Sequence, residues 1–202
     1  MILPEPLPAA VTCDCHSTTT DPVSFMDHVL KCDRATNFGY KARHDTVIND
    51  ALVPVAKAYG ISCTVEPRCY TYRDGTSKRP DVIFHVTPKV TTDVTIVFPS
   101  NDGAGVAASI AAREKTNKHG EAVAAIGHIF IPFAMEITGV MDNSAHDLLK
   151  ALSRSLRPTM RHAFYTDMHH AIQVAVARGR ANALNSAIAK QRSADEGLQR
   201  RR

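Results

Sequence analysis

The chain has no tryptophan, and none of its apolar runs approaches the length needed to span a bilayer. The N-terminal M-I-L-P-E-P-L-P has neither the basic start nor the continuous apolar core of a secretory signal, so the expectation is a soluble, intracellular chain with no membrane partner. The five cysteines are few and odd in number; inside a cell they point to metal ligands or free thiols rather than to a disulfide framework. The sequence holds no G-x-x-x-x-G-K-[ST] phosphate loop, no H-E-x-x-H pair and no G-x-S-x-G elbow, which removes three common nucleotide-binding and hydrolytic chemistries. No polymerase motif and no internal repeat is present. With 202 residues there is room for one ordinary domain with appendages and a real core.

What is there begins with charge. The formal net charge is +4, but from Lys150 onward eleven Lys and Arg face only Asp167, Asp195 and Glu196, giving +8 and leaving −4 for the preceding residues. A basic C-terminal third suits a polyanion, although solvated helix faces produce the same pattern.

The stretch from Arg79 to Lys118 carries the chemistry. Val82, Ile83, Phe84, Val86 and then Val94, Ile96, Val97, Phe98 are the residues of two strands. Asp81 opens the first and Asp93 the second, and Thr87-Pro88-Lys89 between them reads as a hairpin connection, so antiparallel pairing brings the two carboxylates together. Two adjacent carboxylates repel unless a cation intervenes, and a hard divalent ion such as Mg²⁺, or Mn²⁺ in its place, relieves the repulsion and offers a phosphate site. The Ala-rich segment that follows reads as a helix ended by Gly120, carrying Arg113, Lys115 and Lys118 toward the acids, with Lys115 and Lys118 on a shared face.

Upstream, Cys13-Asp14-Cys15 is followed after twelve residues by His28 and after three more by Cys32. His28 and Cys32 are four apart on a short helical pattern and share its face, and Cys13, Cys15, His28 and Cys32 suit tetrahedral Zn²⁺ in a structural role, with His16 as a competing ligand. A helix from about Arg43 to Tyr59 is kinked by Pro54, and Arg43 and His44 at its start are candidate phosphate contacts, with Arg79 and Arg113. A strand is expected over 61–66 and the central strand of the sheet in the 122–133 stretch, ending or bulging at Pro132. Helices are expected over 143–156, capped by Asn143 or Ser144, over 159–178 up to Gly179, and over 181–191, with the last ten residues disordered.

The order R-P-D at 79–81, D-V-T at 93–95 and a following basic helix resembles the PD-(D/E)xK restriction-endonuclease-like nucleases, with Thr95 where the usual pattern has lysine. More closely, the Cys-Cys-His-Cys cluster, R-H-D at Arg43 to Asp45, R-E-K-T-N-K and F-A-M-E-I-T-G around Glu136 resemble the endonuclease domain of site-specific non-LTR retrotransposon reverse transcriptases. The resemblance implies an α/β fold: a restriction-endonuclease-like core over 39–157 with a small mixed sheet flanked by helices, a zinc knuckle in 1–38 and a basic helical extension over 158–202. It implies a Mg²⁺-dependent DNA nickase, with Asp81, Asp93 and the Val94 carbonyl as ligands and Lys115 or, by preference, Lys118 as the catalytic cation. DNA, with RNA as a further candidate, would be the partner, a reverse transcriptase the fused or associated protein, and the nucleus the location. The rival expectation is an inactive zinc-containing nucleic-acid-binding module whose acids serve only as strand-start caps.

Overall fold

The computed structural model describes residues 11–12, 15, 18–19, 21–32, 39–67, 70–71 and 77–199. In chain order the elements are β1 (Val11–Thr12), β2 (Thr18–Thr19), α1 (Pro22–Lys31), α2 (Gly39–Val47), a π-helical turn (Ile48–Leu52), α3 (Val53–Ala58), β3 (Cys63–Val65), β4 (Tyr70–Thr71), β5 (Ser77–Lys78), β6 (Val82–Phe84), β7 (Val90–Thr92), β8 (Val94–Val97), α4 (Val106–Ala124), β9 (Ile129–Phe130), β10 (Phe133–Glu136), α5 (Asn143–Arg154) and α6 (Pro158–Gln199). They divide into two compact units, one of residues 1–43 with 177–202 and one of residues 44–176. The division differs from the boundaries expected after 38 and 157, because α6 is one unbroken helix whose first turns bury Phe164, Met168 and Ile172 in the larger unit.

The larger unit is α/β with a small mixed sheet flanked by helices. β3, β6 and β7 form an antiparallel meander, and β9 then joins β7 in parallel. β8 pairs with β10 in parallel as Val94 with Phe133, an offset of 39 residues, and Val90 pairs with Ile129 at the same offset of 39. β7 and β8 are therefore one strand interrupted at Asp93, and β9 and β10 one strand interrupted at 131–132.

Pro132 was expected to end or bulge its strand, and β9 does stop at Phe130 and β10 resume at Phe133, while the hydrogen bonds to the neighbouring strand pass the proline by. The N–H groups of Ile129, Ile131 and Phe133 donate in turn to the carbonyls of Lys89, Thr91 and Asp93 at 2.9, 3.0 and 3.0 Å. The strand expected to be central is an edge strand, and residue 132 faces its open side, where a missing donor is tolerated.

The chain returns from β8 to β10 through α4, which lies against β8, β9 and β10. Its buried side is alanine over the first half, where Ala108, Ala111 and Ala112 meet Ala134 and Val97, and His119 and Val123 beyond. Gly120 does not end this helix. It continues to Ala124, since an added Cβ at Gly120 would meet nothing nearer than Thr116 Cγ2 at 3.8 Å and glycine there costs propensity without forcing a stop. α5 is capped by Asp142, one residue earlier than expected, through a 2.8 Å bond from the Ser144 N–H. Before the sheet, the predicted kink at Pro54 takes the form of the π turn, in which the Val53 N–H reaches back to the Ile48 carbonyl. The wider turn makes room for a ring that can neither donate nor fit a regular α-helix.

In the smaller unit, the β1–β2 hairpin precedes α1, which is capped by Asp21 through a 2.7 Å bond from the Ser24 N–H. Phe25 and Val29 of α1 pack with Leu184, Ala187 and Ile188 of α6. The expected break at Gly179 is absent because that glycine is a packing position: a Cβ there would come within 3.0 Å of Arg43 Cγ and 3.2 Å of Arg43 Cα. The expected helix over 181–191 is likewise part of α6, which also reaches into the last ten residues as far as Gln199. No helix of the described residues is long and apolar enough to cross a membrane.

Candidate functional site

The β6–β7 register sets the geometry of the site in the larger unit. Val82 pairs with Thr92, Ile83 with Thr91 and Phe84 with Val90, so one step further Asp81 stands opposite Asp93, at the open end of the hairpin. Cross-strand partners project their side chains to one face. On that face Asp93 meets α4, where the Lys115 ammonium is in direct contact with Asp93 Oδ2 and His119 Nε2 lies 3.6 Å from the same oxygen. Asp81 Oδ2 accepts from the Val94 N–H at 2.6 Å and faces His44 Nε2 at 2.9 Å, and the other nitrogen of that ring faces Asp45 Oδ1 at 3.1 Å. The contacts made to Asp81 and Asp93 all use Oδ2.

Burial pushes the Asp81 carboxyl above its ordinary range and the facing charge of Asp93 adds to the push; the His44 ring and the Val94 N–H offset only part of it. For His44, burial favours the neutral ring, but the bonds and charges of Asp81 and then Asp45 outweigh it and hold its pKa above the ordinary 6.5. A carboxylate raised by burial and by a second carboxylate is stabilised by any added cation. The donor set, two carboxylates on one face, suits a hard divalent ion.

The expected residues do not all converge. Asp81, Asp93 and Lys115 meet as described, and His44 joins them as the partner of Asp81 rather than as an open phosphate contact. Lys118, favoured over Lys115 from the sequence, is exposed on α4, and the ammonium in contact with Asp93 is that of Lys115. Arg43 is corrected as a surface contact: only 2% exposed, it lies against Gly179, too enclosed to meet a phosphate. Arg113 is exposed, and Arg79 is exposed with its guanidinium 3.8 Å from Glu66. At Val94 the main-chain group engaged with the acids is the N–H, not the carbonyl expected as a ligand. His119 was missed, although its i+4 spacing from Lys115 puts it on the same helix face.

In the smaller unit, Cys15 stands in the turn of the β1–β2 hairpin, and His28 and Cys32 at the end of α1. Cys15 Sγ lies 3.2 Å from His28 Nε2, and the ligand atoms of Cys15, His28 and Cys32 all fall within 4.8 Å of one another. Two ligands of one tetrahedral zinc sit about 3.5 Å apart, so these three residues could hold a metal ion. Cys13 and His16 lie outside the described residues. No protein-family model and no curated protein matches this chain.

Proposed function

We propose that residues 44–176 form a metal-dependent phosphodiester hydrolase, a DNA-nicking endonuclease on a restriction-endonuclease-like core, and that Cys13, Cys15, His28 and Cys32 hold a structural Zn²⁺. The observation that carries the first part is the facing of Asp81 and Asp93 across paired strands with the Lys115 ammonium on one of them. Two acids and a lysine on one sheet face are the groups such a reaction needs. A bound Mg²⁺ or Mn²⁺ would polarise the scissile phosphate and lower the pKa of a water. Asp81 and Asp93 would supply its carboxylate oxygens, with His44 and the Val94 N–H fixing the orientation of Asp81. Lys115 would orient the attacking water and offset the negative charge that builds on the phosphate. Exposed Arg113 and Lys118 on α4 would meet the DNA backbone.

The test is conversion of supercoiled plasmid to open circles in Mg²⁺ or Mn²⁺. The wild-type chain should nick, Asp81→Ala and Asp93→Asn should not, and Lys115→Ala should lose on the order of a hundredfold, the scale of one transition-state cation. Equal nicking by all four proteins overturns the proposal. One observation favours the non-enzymatic reading: the contacts of Lys115 and His44 already satisfy both acids without a metal. That reading predicts DNA binding that is indifferent to divalent ions and no nicking by any variant.

A further inference from the structure

Glu136 is a buried carboxylate that the proposed reaction does not use. It is 1% exposed at the end of β10, and among the described residues no cationic side chain pairs with it. Parallel pairing sets it beside Val97, four residues along the strand from Asp93, which is about 13 Å at strand rise. It is too distant to share an ion with the aspartates. Its Oε1 instead accepts from the Gly105 N–H at 2.8 Å, and its Oε2 receives the Thr138 hydroxyl at 3.4 Å.

Gly105 is the residue that opens α4. It sits at φ 84°, a left-handed conformation natural to glycine, and it has no side-chain cap; nor does the first turn of α4 carry an acid. Glu136 therefore supplies from a neighbouring strand the anion that a helix N-terminus ordinarily finds in its own sequence. From Gly105 to Lys115 is ten residues, about 15 Å of helix, close to the strand distance from Glu136 back to the level of Asp93. Over the stretch from Gly105 to Lys115, α4 meets the sheet through two polar ties, Glu136 with Gly105 at one end and Asp93 with Lys115 at the other; beyond it, buried His119 packs its ring on Phe130 and Val123 is fully buried. Between the two ties lies an alanine surface, Ala108, Ala111 and Ala112 on Ala134. Such a surface permits close approach but has little relief to interdigitate, so packing over this first half fixes the position of the helix along its axis weakly.

We infer that Glu136 is a positioning residue: it locks the register of α4 on the sheet and so delivers Lys115 to Asp93. The functional weight of that register rests on the nuclease reading above, but the register itself is measurable without activity. The experiment compares Glu136→Gln, which keeps an acceptor, with Glu136→Met, which fills similar volume without one, and with Glu136→Ala. The primary readout is the rate at which the Lys115 amine is acetylated by a small reagent, followed by mass spectrometry, with Asp93→Asn as the freed-lysine reference and Lys150 as the surface control. Lys115 should stay protected in wild type and Glu136→Gln. It should react about tenfold faster in Glu136→Met and Glu136→Ala, approaching Asp93→Asn, the scale expected when one charge-assisted bond is lost. Should Glu136→Ala fail to fold, Glu136→Met decides.

Protection of Lys115 at the wild-type level in Glu136→Met, with Asp93→Asn deprotected, overturns the inference. If wild type nicks DNA, Glu136→Met should lower the single-turnover rate while leaving DNA affinity in Ca²⁺ unchanged, and Glu136→Gln should restore most of it; a loss of affinity alone also overturns it. A wild type that does not nick rejects the nuclease reading, and the labelling result then stands by itself.

Discussion

Lys115→Ala removes a charge whose loss can be sized from its surroundings. The Asp93 side chain is 9% exposed and that of Lys115 27%, so the pair is buried on one side and open on the other. Breaking a fully buried pair by deleting one partner costs about 3–5 kcal/mol, and an exposed pair contributes about 0.2–1 kcal/mol. With the lysine partly solvated and His119 Nε2 3.6 Å away to share the load, a cost of about 2 kcal/mol is expected. For a chain of this size that lowers Tm by roughly 4–8 °C. Lys118→Ala, on an exposed position of the same helix, should stay within about 0.5 kcal/mol of wild type. Urea denaturation at neutral pH and low salt measures both. Adding Asp93→Asn to Lys115→Ala should recover much of the loss, since the stranded charge is then gone. Divalent metal gives the sharper discrimination, because an ion bound to the aspartates replaces the missing positive charge. At ten times its dissociation constant it contributes about 1.4 kcal/mol, so Mg²⁺ should raise the midpoint of Lys115→Ala more than that of wild type. If Lys115→Ala unfolds together with Lys118→Ala, the ion pair does not support the site. If Mg²⁺ leaves Lys115→Ala unmoved, the aspartates do not form a cation site.

Other outcomes are equally specific. Purified protein should contain about one Zn²⁺ per chain, and Cys32→Ser should lose it; because Phe25 and Val29 pack on Leu184, Ala187 and Ile188, amide exchange at 184–188 should accelerate in the same variant. His146 is held below its ordinary 6.5 first by burial and then by the charges of His169 and Lys150 against those of Asp147 and Asp142, and it also bonds the Tyr165 hydroxyl. The unfolded chain therefore takes up this proton first, stability falls as pH drops from about 6.5 through the lower folded value, and His146→Gln should flatten that part of the stability profile. Gly120→Ala, where the added Cβ meets only Thr116 Cγ2 at 3.8 Å, should stabilise by about 0.5–1 kcal/mol in thermal unfolding. Gly179→Ala should give no gain, because its Cβ would press at 3.0 and 3.2 Å on the stem and backbone of Arg43.

The β-branched runs and the short connection at 87–89 were legible as local signals, but Asp93 was expected to open the second strand, where antiparallel pairing would set it at the far end from Asp81; it stands opposite Asp81 because it follows β7, the strand that pairs with β6. The choice of lysine was also legible, but only through helical phase. Lys115 lies seven residues after buried Ala108, or 700°, within about 20° of two full turns, whereas Lys118 at ten residues falls about 80° off. His119 returns to the same side at eleven. Where the sequence reading failed, the deciding contacts are distant in the chain. The continuity of α6 through Gly179 depends on Arg43, more than a hundred residues earlier. The role of Glu136 depends on Gly105, and the burial of Arg43 depends on Gly179. The helix passing through Gly120 is a case of tertiary context overriding a weak local stop.

The position of the site follows from the connection between two parallel strands. β8 and β10 point the same way, so the chain must travel back along the sheet between them, and α4 makes that journey as a helix lying on one face. A helix that starts beside the far end of β8 and runs about 15 Å back arrives level with the beginning of β8, where Asp93 interrupts the strand. A cation three turns into α4 is thus carried to the acid by topology. The alternative position for a lysine, two residues after Asp93, is occupied by Thr95, which is 5% exposed beneath the helix. An ammonium there would be buried and stripped of water, a costly arrangement. Lys115 reaches the same carboxylate from the open side, with part of its stem and head still in solvent. In the proposed nuclease the displacement of the lysine from strand to helix therefore lowers the desolvation cost of the cation. It also makes the cation's position depend on how firmly α4 is held to the sheet, which is the contact that Glu136 provides.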